Sequence, residues 1–213
     1  MSKTLVSLLS IFSVLIVFTG CENTKKKYWD NGNIQSELSY EDEKLHGKST
    51  WYFENGNKEQ EVTYKNNILN GPLIRWYRNG SFESKSYYND GKLEGLAITY
   101  NEEGNIISEE NYVDDTLSGS YTQWYPNGGI KISGNYKNGL YSGRWLYYNL
   151  AGDIIGTGNY ISGNGLQKAW YPNGNIMREI NYVNNLKDGE ERWYDSEGNL
   201  EKVLIFQEGN LIN

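Results

Sequence analysis

Few side chains in this chain are suited to covalent or acid–base chemistry. Among 213 residues there is one histidine, His46, and one cysteine, Cys21. A hydrolytic relay needs a base beside its nucleophile. His46 stands where other copies of the same segment carry Asn70, Glu94 and Ser118, which marks a solvent-facing residue near a turn. A lone histidine without thiolates leaves only carboxylates as metal ligands. Paired carboxylates deserve a separate test, because glycoside hydrolysis needs two at a defined separation. Glu59 and Glu61, Glu102 and Glu103, Glu109 and Glu110, and Glu190 and Glu191 are close enough in sequence. Each occupies a place where other copies carry Ser, Lys or Gln, as solvated positions do. Asp114 and Asp115 lack the ligand spacing of a dedicated calcium loop. The residues point to no enzyme, no cofactor and no metal.

The segments that carry these residues are copies of one unit. Gly32, Gly56, Gly80, Gly104, Gly128, Gly152, Gly174 and Gly198 recur every 24 residues, with a single step of 22 between Gly152 and Gly174. A second series, Gly47, Gly71, Gly95, Gly119, Gly143, Gly165 and Gly189, keeps the same period and the same short step. A period of this length identifies a repeat array. Aromatic residues make up 15% of the chain and Pro only 3 residues, with 24 Gly, which suits short strands joined by tight turns.

Each unit can be counted from its first-series glycine as position 0. Position −4 is aromatic throughout: Tyr28, Tyr52, Trp76, Tyr100, Trp124, Tyr148, Trp170 and Tyr194. Position +2 is mostly aliphatic, from Ile34 to Leu200, and position +8 is Tyr40, Tyr64, Tyr88, Tyr112, Tyr136, Tyr160, Tyr182 and Phe206. These offsets share parity, so one face of a strand pair would hold all three. Asn-Gly before the glycine suggests a two-residue type I′ hairpin. Glu103, Ala151 and Glu197 at position −1 tolerate positive φ poorly, and Pro126 and Pro172 at −2 suit the second place of a type I turn. The expected loop is therefore a type I turn closed by a glycine in a G1 bulge, which pairs −4 with +2 and builds an aromatic–aliphatic ladder.

A second turn falls near position +11, where Gly, Asn and Asp dominate, but its register is open. The second-series glycines are expected to lie under neighbouring aromatic rings. Two strands per unit give an all-β, elongated, single-layer antiparallel meander or solenoid of about eight repeats and about sixteen strands, on the order of 75 Å long. The 22-residue unit lacks two residues between Tyr160 and Gly165, a deletion that keeps every later side chain on its own face.

A single layer cannot hide both of its faces. Position −3 carries Trp29, Phe53, Tyr77, Tyr125 and Tyr171, interspersed with Asn101, Asn149 and Asp195. Their odd parity sets these aromatics away from the ladder, and they are the candidate surface for a protein partner or a stacked glycan.

The amino terminus is of another kind. Lys3, the apolar run from Leu5 to Phe18 and the small exit at Thr19 and Gly20 read as a secretory signal over residues 1–20, too short for a spanning helix of ~20 apolar residues. Val17-Phe18-Thr19-Gly20-Cys21 resembles the lipobox of bacterial lipoproteins, with Phe18 in place of the usual Leu. The resemblance implies cleavage before Cys21, acylation of its thiol and a tether over residues 21–27, ahead of a repeat domain over 28–213. Glu22 after the cysteine, rather than aspartate, favours the outer membrane. Beyond the signal, the loss of Lys3 from 20 bases leaves 19 against 27 acids, a formal charge of −8. Such a surface repels nucleic acid and anionic headgroups.

Trp76-Tyr77-Arg78-Asn79-Gly80 through Tyr88, Asp90 and Gly91, and Trp124-Tyr125-Pro126-Asn127-Gly128 through Tyr136, Asn138 and Gly139, resemble the variant form of the MORN repeat. The resemblance covers about residues 28–212 and implies a platform for protein or lipid contact. Bacterial chains with this repeat are commonly labelled antitoxins, so it also implies, as an alternative, capture of a toxin by direct binding. A lipid anchor at Cys21 would set any such target outside the cytoplasm.

Overall fold

The structure is a computed structural model that describes residues 23–213. The signal segment, Cys21 and Glu22 lie outside the described residues. The described chain is all-β, one open antiparallel sheet in which neighbours in sequence are neighbours in space. Its first half runs β1 (Asn23–Tyr28), β2 (Ile34–Glu41), β3 (Lys44–Leu45), β4 (Gly47–Tyr52), β5 (Lys58–Lys65), β6 (Ile68–Trp76), β7 (Phe82–Asn89), β8 (Lys92–Leu93) and β9 (Gly95–Tyr100). The second half runs β10 (Ile106–Val113), β11 (Thr116–Trp124), β12 (Ile130–Lys137), β13 (Leu140–Tyr148), β14 (Ile154–Ile161), β15 (Asn164–Trp170), β16 (Ile176–Val183), β17 (Leu186–Tyr194), β18 (Leu200–Gln207) and β19 (Asn210–Leu211). β3 with β4, and β8 with β9, are single rungs interrupted at His46 and Glu94. Residues 23–27, expected as a tether, instead form the exposed first strand: Lys26 pairs with Glu37 at 2.6 Å and Lys25 lies 4.4 Å from the Tyr40 ring centre.

The two turns are of different types. At the first, Phe53 N–H donates to Asn57 O and Gly56 N–H to Phe53 O, both at 2.9 Å, and the glycine has φ +87°. This is the type I turn with a G1 bulge, and Tyr52 pairs with Lys58, −4 with +2. At the second, both central residues take positive φ, as Asn66 and Asn67 do at 52° and 69°. That is a type I′ hairpin with Lys65 opposite Ile68. The Asn-Gly signal for type I′ is thus realised at Asn138-Gly139, where Asp, Asn or Gly holds the second place in most copies.

Two bulges per unit change the expected faces. One residue, such as Glu59, is unopposed between the pairs Tyr52↔Lys58 and Trp51↔Gln60. Across it the strand changes phase, so Tyr52 shares a face with Thr50 and Glu37, and its hydroxyl donates to Glu37 Oε2 at 3.0 Å. Tyr64 faces the other way with Val62, Ser49 and Trp51. The −4 aromatics and the +8 tyrosines therefore lie on opposite faces, which corrects the single ladder expected from parity. The −4 and +2 side chains do meet on the outer face, where Phe82 sits 5.8 Å from Trp76 and 6.1 Å from Tyr100 between ring centres.

A second bulge, two residues long, follows the type I′ turn: the register steps between Tyr64↔Leu69 and Val62↔Leu73. Second-series glycines supply its positive φ, 126° at Gly71 and 117° at Gly119. They are bulge glycines rather than beds for aromatic rings, a correction with a clear cause, because a side chain there meets strained backbone. Gly165 is the exception. In the short unit β14 and β15 pair without interruption from Gly156↔Ala169 to Ile161↔Asn164, so the two missing residues are the bulge itself.

The inner face holds the core. Val62, Trp145, Tyr160 and Ile180 are buried there. Tyr141 lies 4.7 Å from Trp145, 5.0 Å from Tyr160 and 6.3 Å from Tyr182, so rings from β13, β14 and β16 converge over the short unit. Glycines make room for them. A Cβ at Gly134 would fall inside the Trp145 ring, and one at Gly158 inside the Tyr160 ring.

Candidate functional site

The G1 turns line one edge of the sheet, and side chains at positions −3 and −1 decide how each turn meets the next. Trp29 Nε1 donates to Tyr52 O at 3.0 Å. Tyr77, Tyr125 and Tyr171 donate through their hydroxyls to the carbonyls of Tyr100, Tyr148 and Tyr194 at 2.8, 2.7 and 2.9 Å. Each reaches 23 residues ahead, into the next unit. Asn79 and Asn173 at −1 add a second tie, from Nδ2 to Glu102 O and Ser196 O at 3.0 and 2.7 Å. Trp29, Tyr77, Tyr125 and Tyr171, expected as an exposed binding surface, are half-buried internal braces. Phe53 has no polar atom to donate and lies under Arg78, 5.9 Å from its ring centre.

Asn101, Asn149 and Asp195 at −3 behave differently. Asn149 Oδ1 accepts from the N–H groups of Ala151 and Asp153 at 2.9 Å, and its Nδ2 donates to Asp153 Oδ2 at 3.0 Å. Asp195 caps its own turn in the same manner, and those bonds hold its carboxyl below the usual range. These residues spend their polar atoms locally and reach no further. The turns at Trp29 and Phe53 both tie forward, the latter through Asn55 and Asn57 to the Arg78 carbonyl; from Trp76 on, Trp-Tyr turns, which tie forward, alternate with Tyr-Asn or Tyr-Asp turns, which do not. The alternation is written in the sequence at twice the repeat length, as Trp76-Tyr77, Tyr100-Asn101, Trp124-Tyr125, Tyr148-Asn149, Trp170-Tyr171 and Tyr194-Asp195. Aligning units one by one hides it.

Beyond the untied Asn149 turn lies a cleft. A cavity of about 510 Å³ lies between the turn at Asn149–Asp153 and the turn at Tyr171–Gly174, with Ile154, Ile155, Trp170 and Pro172 in its walls. The neighbouring apolar side chains are bare: Leu150 is 65% exposed, Ile154 48% and Ile155 38%. The corresponding Ile106 and Ile107, at the untied junction after Asn101, are half-buried. A second hollow of about 410 Å³ lies at the amino-terminal end, against Trp29, Trp51 and Tyr52.

Three of the carboxylates, Glu37, Glu179 and Glu191, brace the sheet. Glu37 takes Lys26 and the Tyr52 hydroxyl, and Glu179, at the same offsets, takes Lys168 at 2.7 Å and the Tyr194 hydroxyl at 3.1 Å. These bonds lower both carboxyls. Glu191, expected to be solvated, is buried at 2% exposure. Arg178, Lys187 and the Trp193 indole all donate to it, at 2.6 to 2.8 Å. Its equivalents, Ser49 and Gln167, gave no sign of that role. His46 lies 3.0 Å from Glu41 and reaches Asn66 of the following turn. Among the described residues no group of His, Cys, Asp and Glu is arranged to hold a metal ion.

An all-β array of hairpin units, tied edge to edge and presenting one continuous sheet, defines a class of repeat proteins. The chain belongs to the MORN repeat variant family, which matches residues 22–42, 45–66, 93–114, 117–138, 164–184 and 187–208. The units centred on Gly80 and Gly152 are not matched, yet their turns carry the same bonds, Gly80 to Tyr77 and Gly152 to Asn149. No curated protein matches the chain. MORN repeats of this kind make a β-repeat binding module.

Proposed function

We propose that the protein is a non-enzymatic binding platform, held by a lipid on Cys21 at the cell envelope, whose sheet docks a protein partner. The observation that carries the reading is the exposure of large apolar side chains at both ends of β14: Leu150, Ile154 and Ile155 at one edge of the sheet and, at 83%, Ile161 at the other. Exposed apolar side chains that sit together beside a cleft, as Leu150, Ile154 and Ile155 do, suit a site of contact. The anchor rests on the lone thiol and the small residues before it. Because β1 starts at Asn23, the acyl chains would sit two residues from the sheet and hold it close to the membrane.

Two experiments test this. Cys21→Ser should move the protein from the membrane fraction to the soluble fraction; retention at the membrane would remove the anchor from the proposal. A photo-crosslinking amino acid at Ile161 or Leu150 in intact cells should capture one recurrent protein, identified by mass spectrometry, that the same group at exposed Glu54 does not. Identical captures from both positions would overturn the docking role.

A further inference from the structure

We infer that the cleft between the Asn149 turn and the Tyr171 turn is a receptor for a tyrosine side chain of the partner, which completes the one tie the chain leaves unmade there. The inference rests on the platform reading and gives it a site and a ligand chemistry. The chain itself shows what fits such a junction. At the preceding junction the Tyr125 hydroxyl donates to the Tyr148 carbonyl at 2.7 Å, and at the following one the Tyr171 hydroxyl donates to the Tyr194 carbonyl at 2.9 Å. By repeat position the matching acceptor in the cleft is the Trp170 carbonyl, and the matching donor would come from residue 149. Asn149 is too short and is held on its own turn by Ala151 and Asp153. No side chain among the described residues donates to the Trp170 carbonyl.

What remains is a hollow of about 510 Å³ with aliphatic walls at Ile154 and Ile155 and an aromatic one at Trp170, whose carbonyl is, by repeat position, the acceptor. That is a place for a flat ring with a hydroxyl at its far end. A phenylalanine would fill the volume and leave the acceptor unmet. A neutral hydrogen bond of this kind is worth on the order of a fivefold difference in affinity.

The test uses the full chain in detergent, labelled with nitrogen-15, titrated with N-acetyl-tyrosinamide and, separately, N-acetyl-phenylalaninamide. The tyrosine probe should shift the amides of residues 153–155, 170, 171, 173 and 174 saturably, and bind about fivefold more tightly than the phenylalanine probe. The double variant N149Y/A151N rebuilds the turn of Asn127 and Tyr125, supplies the missing ring in cis, and should abolish the shifts. Ile155→Asp, at an exposed position that leaves the turn intact, should weaken them as well. Shifts scattered over all junctions, equal affinity for the two probes, or undiminished binding by both variants would each overturn the inference. The platform reading fails separately, on the crosslinking result.

Discussion

The Tyr125 hydroxyl and the Tyr148 carbonyl are joined by a 2.7 Å hydrogen bond between adjacent turns, 23 residues apart. The bond depends on position −3 being tyrosine rather than the asparagine found at 101 and 149. Tyr125→Phe keeps the ring in the gap and removes only the donor. It should lower stability by about 1 kcal/mol, read as a fall in the urea midpoint without a change of slope. Tyr171→Phe should match it. A loss near zero in both would mean that the ring alone closes the junction.

Position 185 braces more than its counterparts. Asn67 Oδ1 accepts from Leu45 N–H, one unit back. Asn185 instead reaches two units back, accepting from Tyr141 N–H at 2.8 Å and donating to Gly139 O at 2.8 Å, because the turn between them is drawn in by the missing bulge. Both asparagines hold positive φ, so alanine strains each equally. Asn185→Ala should therefore cost about 1 kcal/mol more than Asn67→Ala, for the extra bond. Equal losses in thermal unfolding would show that the long reach adds nothing.

Gly134 and Gly158 are flat beds for Trp145 and Tyr160, at ordinary φ, so only space forbids a side chain. Gly134→Ala should cost about 3 kcal/mol or more through displacement of a 3%-exposed indole, with a red shift in tryptophan emission. The Tyr160 hydroxyl is buried beside that of Tyr147 without a well-formed hydrogen bond, and burial pushes its phenol well above the ordinary value. Tyr160→Phe should be neutral or stabilising by up to about 1 kcal/mol, since it deletes an unmet polar group. A marked loss would reveal a partner for that oxygen.

These positions also mark where the sequence was readable. The period, the G1 turn and the pairing of −4 with +2 follow from which residues tolerate positive φ, and Glu103 and Ala151 were enough to choose the turn. Faces were harder. Parity counting from Tyr28 to Tyr40 assumes an unbroken pleat, and a bulged residue such as Gln35 or Glu59 has no compositional mark. The two-residue bulge could have been found, because the short unit shows what a copy without it looks like. The cleft at Asn149 was legible only as a departure from a two-unit pattern. Glu191 was not legible at all, since its burial comes from Arg178 and Lys187 on strands that the array brings together.

Glu191 gives the protein a measurable dependence on acid. Burial alone would raise its carboxyl, but hydrogen bonds from Lys187 and Arg178 and their charges outweigh burial and hold it below its ordinary 4.5. A group whose pKa is lower in the folded state stabilises the fold above its unfolded pKa and loses that contribution as pH falls through the folded value. The folded protein should thus hold a plateau above about pH 5 and weaken below 4.5, with Glu37, Glu61 and Glu179 adding to the slope in the same direction. Glu191→Gln keeps the shape and removes the charge. Arg178 and Lys187 remain 26% and 31% exposed and can be rehydrated, so the loss at pH 7 should be about 2 kcal/mol rather than the full cost of a stranded buried charge. The difference between the variant and the parent should shrink as urea unfolding is repeated toward pH 3. A difference that stays constant with pH would assign the effect to packing and not to the ion pairs.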